Sequence, residues 1–235
     1  MTQERSAMTP GFSKPLLAVL TAAGVIAMVG GVGALVASQS GPADPLRDPA
    51  VRERVEALSA LAIPEFTAVD QDGIAVDRSV FEGRYTILAF TFSYCPLACP
   101  VMNSHLAPLH QATRDLPALQ IVSFSVDPTH DTPERLRAHA DSLGANTDRW
   151  RFLSTDRAAI EAVVERGLMF ALNDQPEMQI EVGGGETMAN IVHPTKFLLI
   201  SPDVQVIEMI DGMSMSAAQE AERVARAWVE AHPPG

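Results

Sequence analysis

Phe90-Thr91-Phe92-Ser93-Tyr94-Cys95-Pro96-Leu97-Ala98-Cys99-Pro100 is the stretch on which the reading of this chain turns. It holds both cysteines of the protein, spaced C-x3-C. Before it, residues 85–92 are dense in β-branched and aromatic side chains, which favours a buried strand. After it, Met102, Leu106 and Leu109 recur at helical spacing. Pro100 suits a first helical position, where its missing N–H is no loss. The cysteines therefore fall where a strand gives way to a helix. A thiol at a helix N-terminus lies among free N–H groups at the positive end of the dipole, and its pKa falls. Helical residues four apart have Cβ atoms ~5–6 Å apart, wider than the roughly 3.5–4.5 Å of a disulfide. Two thiolates sharing a metal ion accommodate that gap, so the spacing leans to metal. The flanking Pro96 and Pro100 place Cys95 in the preceding loop, where its position can adjust.

Outward from this stretch, strands and helices alternate. Residues 65–76 form a hairpin turning at Asp72-Gly73. Residues 119–126 are a second buried strand. Thr132 caps and Pro133 opens the next helix. Residues 150–153 are a short strand and 158–166 a helix. Residues 173–190, with the triplet Gly183-Gly184-Gly185, lack periodicity and read as a long mobile loop. Strands at 196–200 and 204–209 and a helix at 216–231 close the chain. This order predicts an α/β domain of thioredoxin-like fold over residues 62–235, a central mixed sheet flanked by helices with an N-terminal β-hairpin.

The N-terminal part is different. Residues 15–37 are an uncharged apolar run, long enough to cross a hydrocarbon core of about 30 Å. It exceeds a signal-peptide core of about 7–15 residues, so a single uncleaved transmembrane helix is expected. Arg5 and Lys14 precede it against one Glu4, which places residues 1–14 in the cytoplasm and the bulk of the chain outside. Residues 38–61 read as a linker and a short amphipathic helix carrying Val51, Val55, Leu58 and Leu61. The whole chain of 235 residues has net charge −12. Without Arg5, Lys14 and Glu4, 15 basic and 28 acidic residues remain, a net −13. That excess argues against nucleic acid or anionic lipid as a partner.

Four motifs, in order, resemble the Sco/SenC family of membrane-anchored copper chaperones. Residues 90–100 resemble its C-P-x-x-C-P signature, and Ser125-Val126-Asp127-Pro128-Thr129-His130-Asp131-Thr132-Pro133 its S-x-D-P-x-x-D-T segment. Trp150-Arg151-Phe152-Leu153 resembles its W-x-x-L strand, and Val192-His193 the place where the family supplies a histidine ligand. The resemblance covers about residues 62–232 and implies copper held by Cys95, Cys99 and His193. It further implies a copper-donating periplasmic protein and a copper-accepting subunit of cytochrome c oxidase as partners. The segment before residues 15–37 is too short and too poor in Arg for a mitochondrial transit peptide, so a bacterial inner membrane is expected, with residues 15–37 as a single-pass anchor and the C-terminal domain in the periplasm or outside. The chain departs from the family where Leu97 and Ala98 replace an acidic residue between the cysteines. It departs again where Pro194 follows the histidine. His193-Pro194-Thr195 looks more like the cis-proline loop of thioredoxins, which predicts a cis bond beside the cysteines.

Two thiolates and an imidazole suit Cu(I), a soft ion of low coordination; Cu(II) binding stays open. Structural zinc would call for a fourth ligand. His105, His110, His130 and His139 read as surface or satisfied residues. Asp127 and Asp131 read as fixing a turn and capping a helix. Met178, Met188, Met209, Met213 and Met215 read as packing and loop residues, with an auxiliary copper-entry site as the alternative. A metallochaperone, rather than an enzyme, is the leading function. The alternative is a thiol–disulfide oxidoreductase that uses Cys95 and Cys99 as a redox dithiol, with no role for His193 as ligand. A peroxiredoxin is disfavoured, because Phe92 stands where that family needs Thr or Ser.

Overall fold

One strand buried on both faces sets the architecture. In the computed structural model, which describes residues 43–235, β3 (Tyr85–Thr91) is buried at every position. Its side chains alternate between two hydrophobic clusters. Leu88 and Phe90 face one, and Tyr85, Ile87 and Ala89 the other. β4 (Leu119–Ser125) lies parallel to β3, and β5 (Trp150–Ser154) parallel to β4. The other strands are β1 (Thr67–Asp70), β2 (Ala75–Asp77), β8 (Lys196–Ile200) and β9 (Val206–Asp211). Together they form a mixed seven-stranded sheet in the order β2-β1-β5-β4-β3-β8-β9, with β1, β2, β8 and β9 joined antiparallel.

Helices cover both faces. On one side lie α2 (Ala98–Ala112), α3 (Pro133–Ser142) and α5 (Ala217–Ala231), which bury Met102, Leu106, Leu136, Ala221 and Trp228. On the other, α4 (Arg157–Glu161) runs into a π turn (Ala162–Gly167) and buries Ile160, Val163 and Val164. α1 (Pro49–Leu58) matches the short amphipathic helix expected there, and Arg54 on it pairs with Glu208 of β9 at 2.9 Å. The expected hairpin turns at Asp72-Gly73, with Gly73 at φ 72°, a value that favours glycine. Thr132 Oγ1 accepts the Arg135 N–H at 3.3 Å and caps α3 as expected.

Three expectations are corrected. Residues 173–190 are not a loop but largely a second, two-stranded sheet, β6 (Asn173–Gly183) with β7 (Glu186–Val192). Its register breaks twice, which hides its alternation in the sequence. Ile180 and Ile191 still reach the core. No peptide bond among the described residues is cis, so the His193–Pro194 bond is trans. The helix after the cysteines begins at Ala98, two residues before Pro100. No described helix is long and apolar enough to cross a membrane, and the span expected at residues 15–37 lies outside the described residues.

Candidate metal centre

β3 and β8 are neighbours in the sheet, and their ends meet at the cysteines. The chain leaves β3 through Phe92, Ser93 and Tyr94 and turns on a bond from the Cys95 N–H to the Phe92 carbonyl at 3.2 Å. Cys95 lies in that loop, and Cys99 is the second residue of α2. His193 lies between β7 and β8. Among the described residues, Cys95, Cys99 and His193 form the one group of three or more such side chains that could hold a metal ion. Their ligand atoms all lie within 4.8 Å of one another.

The sulfurs are not equivalent. Cys95 is half-buried and Cys99 buried, and both are free thiols. The Cys99 N–H donates to Cys95 Sγ at 3.3 Å, one of the orphan donors of the α2 N-terminus. Hydrogen bonding from the Cys99 thiol, aided by His193 and by backbone N–H groups, lowers the Cys95 pKa to about 4 against its burial. Burial pushes Cys99 far the other way, reinforced by its bond to Cys95, by the Cys95 charge and by the charge of Asp131. The resting pair is thus a Cys95 thiolate beside a Cys99 thiol.

His193 is 8% exposed and meets the edge of Phe92 at a ring separation of 5.7 Å. Its Nδ1 lies 3.1 Å from the Pro194 carbonyl, which can only accept, so Nδ1 carries the proton. Nε2 faces the sulfurs, 3.4 Å from Cys99 Sγ, and is the ring nitrogen left to bind a metal. Two sulfurs and an imidazole nitrogen form a soft donor set. It fits Cu(I), and among the described residues it lacks the fourth ligand of closed zinc sites.

The Asp-Pro segment holds the cysteine loop from beneath. Asp131 accepts the Ser93 N–H at 3.2 Å and the Ser125 hydroxyl at 2.5 Å. Arg135 donates to Ser93 Oγ at 2.9 Å and lies 4.0 Å from the centre of the Tyr94 ring. Asp127 fixes its own turn, as expected, by accepting from the Thr129 N–H and bonding His130 Nδ1. Asp131 does not cap a helix. It braces the residues ahead of Cys95, a role that sequence spacing could not show because Ser93 and Asp131 are 38 residues apart. The other histidines are engaged or peripheral: His110 Nε2 accepts from the Asn146 N–H, His139 accepts from Asn103, and His105 is half-buried on α2.

Known proteins resemble this chain in sequence and in fold. A family model described as SCO1/SenC matches residues 55–229. The SCO1 protein homolog of Bacillus subtilis is 28% identical over 153 residues, covering 64% of this chain and 74% of its own. Two solved structures share the fold at lower identity. BsSco, described as a member of the Sco family of cytochrome c oxidase assembly proteins and as having a disulfide switch, superposes with a TM-score of 0.56 at 24% identity. That match covers 72% of this chain and 93% of its own. Bradyrhizobium japonicum ScoI with copper bound gives 0.55 at 20% identity, over 70% and 98%. The family match spans most of the chain and includes all three converging side chains, and the chain belongs to the SCO1/SenC family.

Proposed function

We propose that this protein is a copper metallochaperone, and the observation that carries the reading is the convergence of Cys95, Cys99 and His193 within 4.8 Å. Copper is the cargo these donors select. The Cys95 thiolate receives Cu(I) first, because it is already ionised and more exposed. Binding then displaces the Cys99 proton, and the Nε2 lone pair of His193 closes the site. Delivery also begins at the more exposed ligand, with an incoming thiolate replacing Cys95 while Cys99 and His193 still hold the ion. The acceptor is the copper-binding subunit of cytochrome c oxidase, and a periplasmic protein supplies the metal. Membership of BsSco in a family of oxidase assembly proteins supports that direction. An anchor at residues 15–37 keeps donor and acceptor in one membrane. Carbonate washing of membranes tests this: the full chain should stay in the pellet, and its release would remove the anchor from the proposal.

The decisive experiment is anaerobic Cu(I) titration of the full chain against a chromophoric chelator, beside His193→Ala. The parent should take one tight equivalent and the variant should bind about 10–100-fold more weakly. Equal binding in both would refute the three-ligand site.

The asymmetry of the two thiols favours a second reading as thiol–disulfide oxidoreductase. The Cys95 thiolate would attack a partner disulfide, expelling one partner thiolate. Cys99, after losing its proton, would displace the other and leave a Cys95–Cys99 disulfide, two electrons having passed to the partner. Trapping of a Cys95 mixed disulfide in Cys99→Ala tests it, and failure to trap one with an oxidised acceptor would end it.

A further inference from the structure

The loop between β9 and α5 carries two thioethers that the fold does not use. Met215 is 95% exposed and Met213 41%. Neither belongs to a core cluster, whereas Met102, Met188 and Met209 all pack against one. The loop is nevertheless held firmly. Asp211 accepts the Met213 N–H at 3.1 Å and pairs with Lys196 at 3.4 Å. The Gly212 N–H donates to the carbonyl of Thr195, two residues past His193, at 2.9 Å. A Cβ at Gly212 would lie 2.6 Å from that same oxygen, so only glycine permits the approach.

The loop is also at the metal end of the molecule. Arg226, late in α5, bonds Asp115 and the Ala112 carbonyl at the close of α2, so the two helices run parallel, as do the strands β3 and β9 that they follow. The start of α5 therefore lies beside the start of α2, which carries Cys99. Seven large apolar side chains are exposed among the described residues. Five of them, Leu97, Val101, Val192, Met213 and Met215, belong to segments that bear or brace the three ligands.

We propose that Met213 and Met215 form an entry site for Cu(I), a thioether pair that captures the ion and passes it to Cys95. This rests on the copper reading above. Thioethers are soft donors without charge, so they bind Cu(I) in preference to the hard divalent ions that a surface this acidic attracts. They hold it more weakly than thiolates do, and transfer to Cys95 is downhill. The step is ligand exchange: Cu–S(thioether) bonds break as a Cu–S(thiolate) bond forms, and no electron moves.

Methionine-methyl NMR on the full chain tests the site, with Ag(I) as the probe and Cys95→Ala/Cys99→Ala removing the tight centre. The Met213 and Met215 methyl signals, assigned with Met213→Leu and Met215→Leu, should shift together within the first equivalent. Met169, exposed but alone, should follow only later. Transfer is read by stopped flow: Met213→Leu/Met215→Leu should slow loading of the intact centre from a Cu(I)–chelator complex severalfold. Shifts spread equally over the exposed methionines would overturn the site, and an unchanged loading rate would overturn the relay. If the intact centre took no copper at all, the chaperone reading would fail, while the Ag(I) shifts would still report on the thioethers.

Discussion

Cys95 and Cys99 differ by four positions and by almost every property that governs reactivity. Cys95 ionises near pH 4 because a thiol, an imidazole and backbone N–H groups all stabilise its charge. Cys99 is buried beside that charge and resists ionisation. In the reduced, metal-free protein, iodoacetamide should therefore modify Cys95 at a rate nearly constant from about pH 5 to pH 8, because its thiolate is already formed. Cys99 should lag throughout, and peptide mapping by mass spectrometry separates the two. Equal labelling would contradict the assignment. Stability follows with opposite signs. The folded value of Cys95 lies below the ordinary thiol value of 9.0, so its stabilisation is complete above that value and is lost as pH falls towards 4. Cys99, raised on folding, contributes below the unfolded value and loses that contribution as pH rises through its folded one. Acid should weaken the Cys95 loop first.

At the scale of elements, the centre depends on contacts between segments far apart in sequence. Gly212 is one such contact, since a Cβ there would meet both the Thr195 carbonyl and, at 3.1 Å, the Phe197 ring. Gly212→Ala should cost about 1–3 kcal/mol in chemical denaturation and weaken copper binding by displacing the segment that carries His193. A variant of parental stability and affinity would show that the loop can yield. The elements that were legible in sequence are those with local signatures. β3 shows in its β-branched run, α3 in its Thr132-Pro133 start, and the first hairpin in Asp72-Gly73. The β6–β7 hairpin was not legible. It pairs only with itself, its register shifts twice, and three glycines with positive φ form its tip. The trans bond at Pro194 was likewise beyond reach, because comparison with thioredoxins supplied the cis expectation and no local residue pattern distinguishes the isomers. The ligand set was legible through motif resemblance. The bracing by Asp131 and Arg135 was not, since it exists only once α3 packs beside the cysteine loop.

For the molecule as a whole, the ligands join its two halves. Cys99 and His193 are 94 positions apart, and no covalent bond links them. An ion bound at a thousand times its dissociation constant stabilises the folded state by about 4 kcal/mol. For a domain this size that is a rise of roughly ten degrees in Tm, which calorimetry with and without one equivalent of Cu(I) would measure. An unchanged Tm would mean that the ion does not bridge the halves. A removable crosslink of this kind also sets how long each copy lasts. Handing over the ion releases the tie across those 94 positions, so a chain is most open to proteolysis just after it empties. Turnover would then cull spent copies and spare loaded ones, and the supply of copper would regulate the abundance of its carrier without any dedicated sensor.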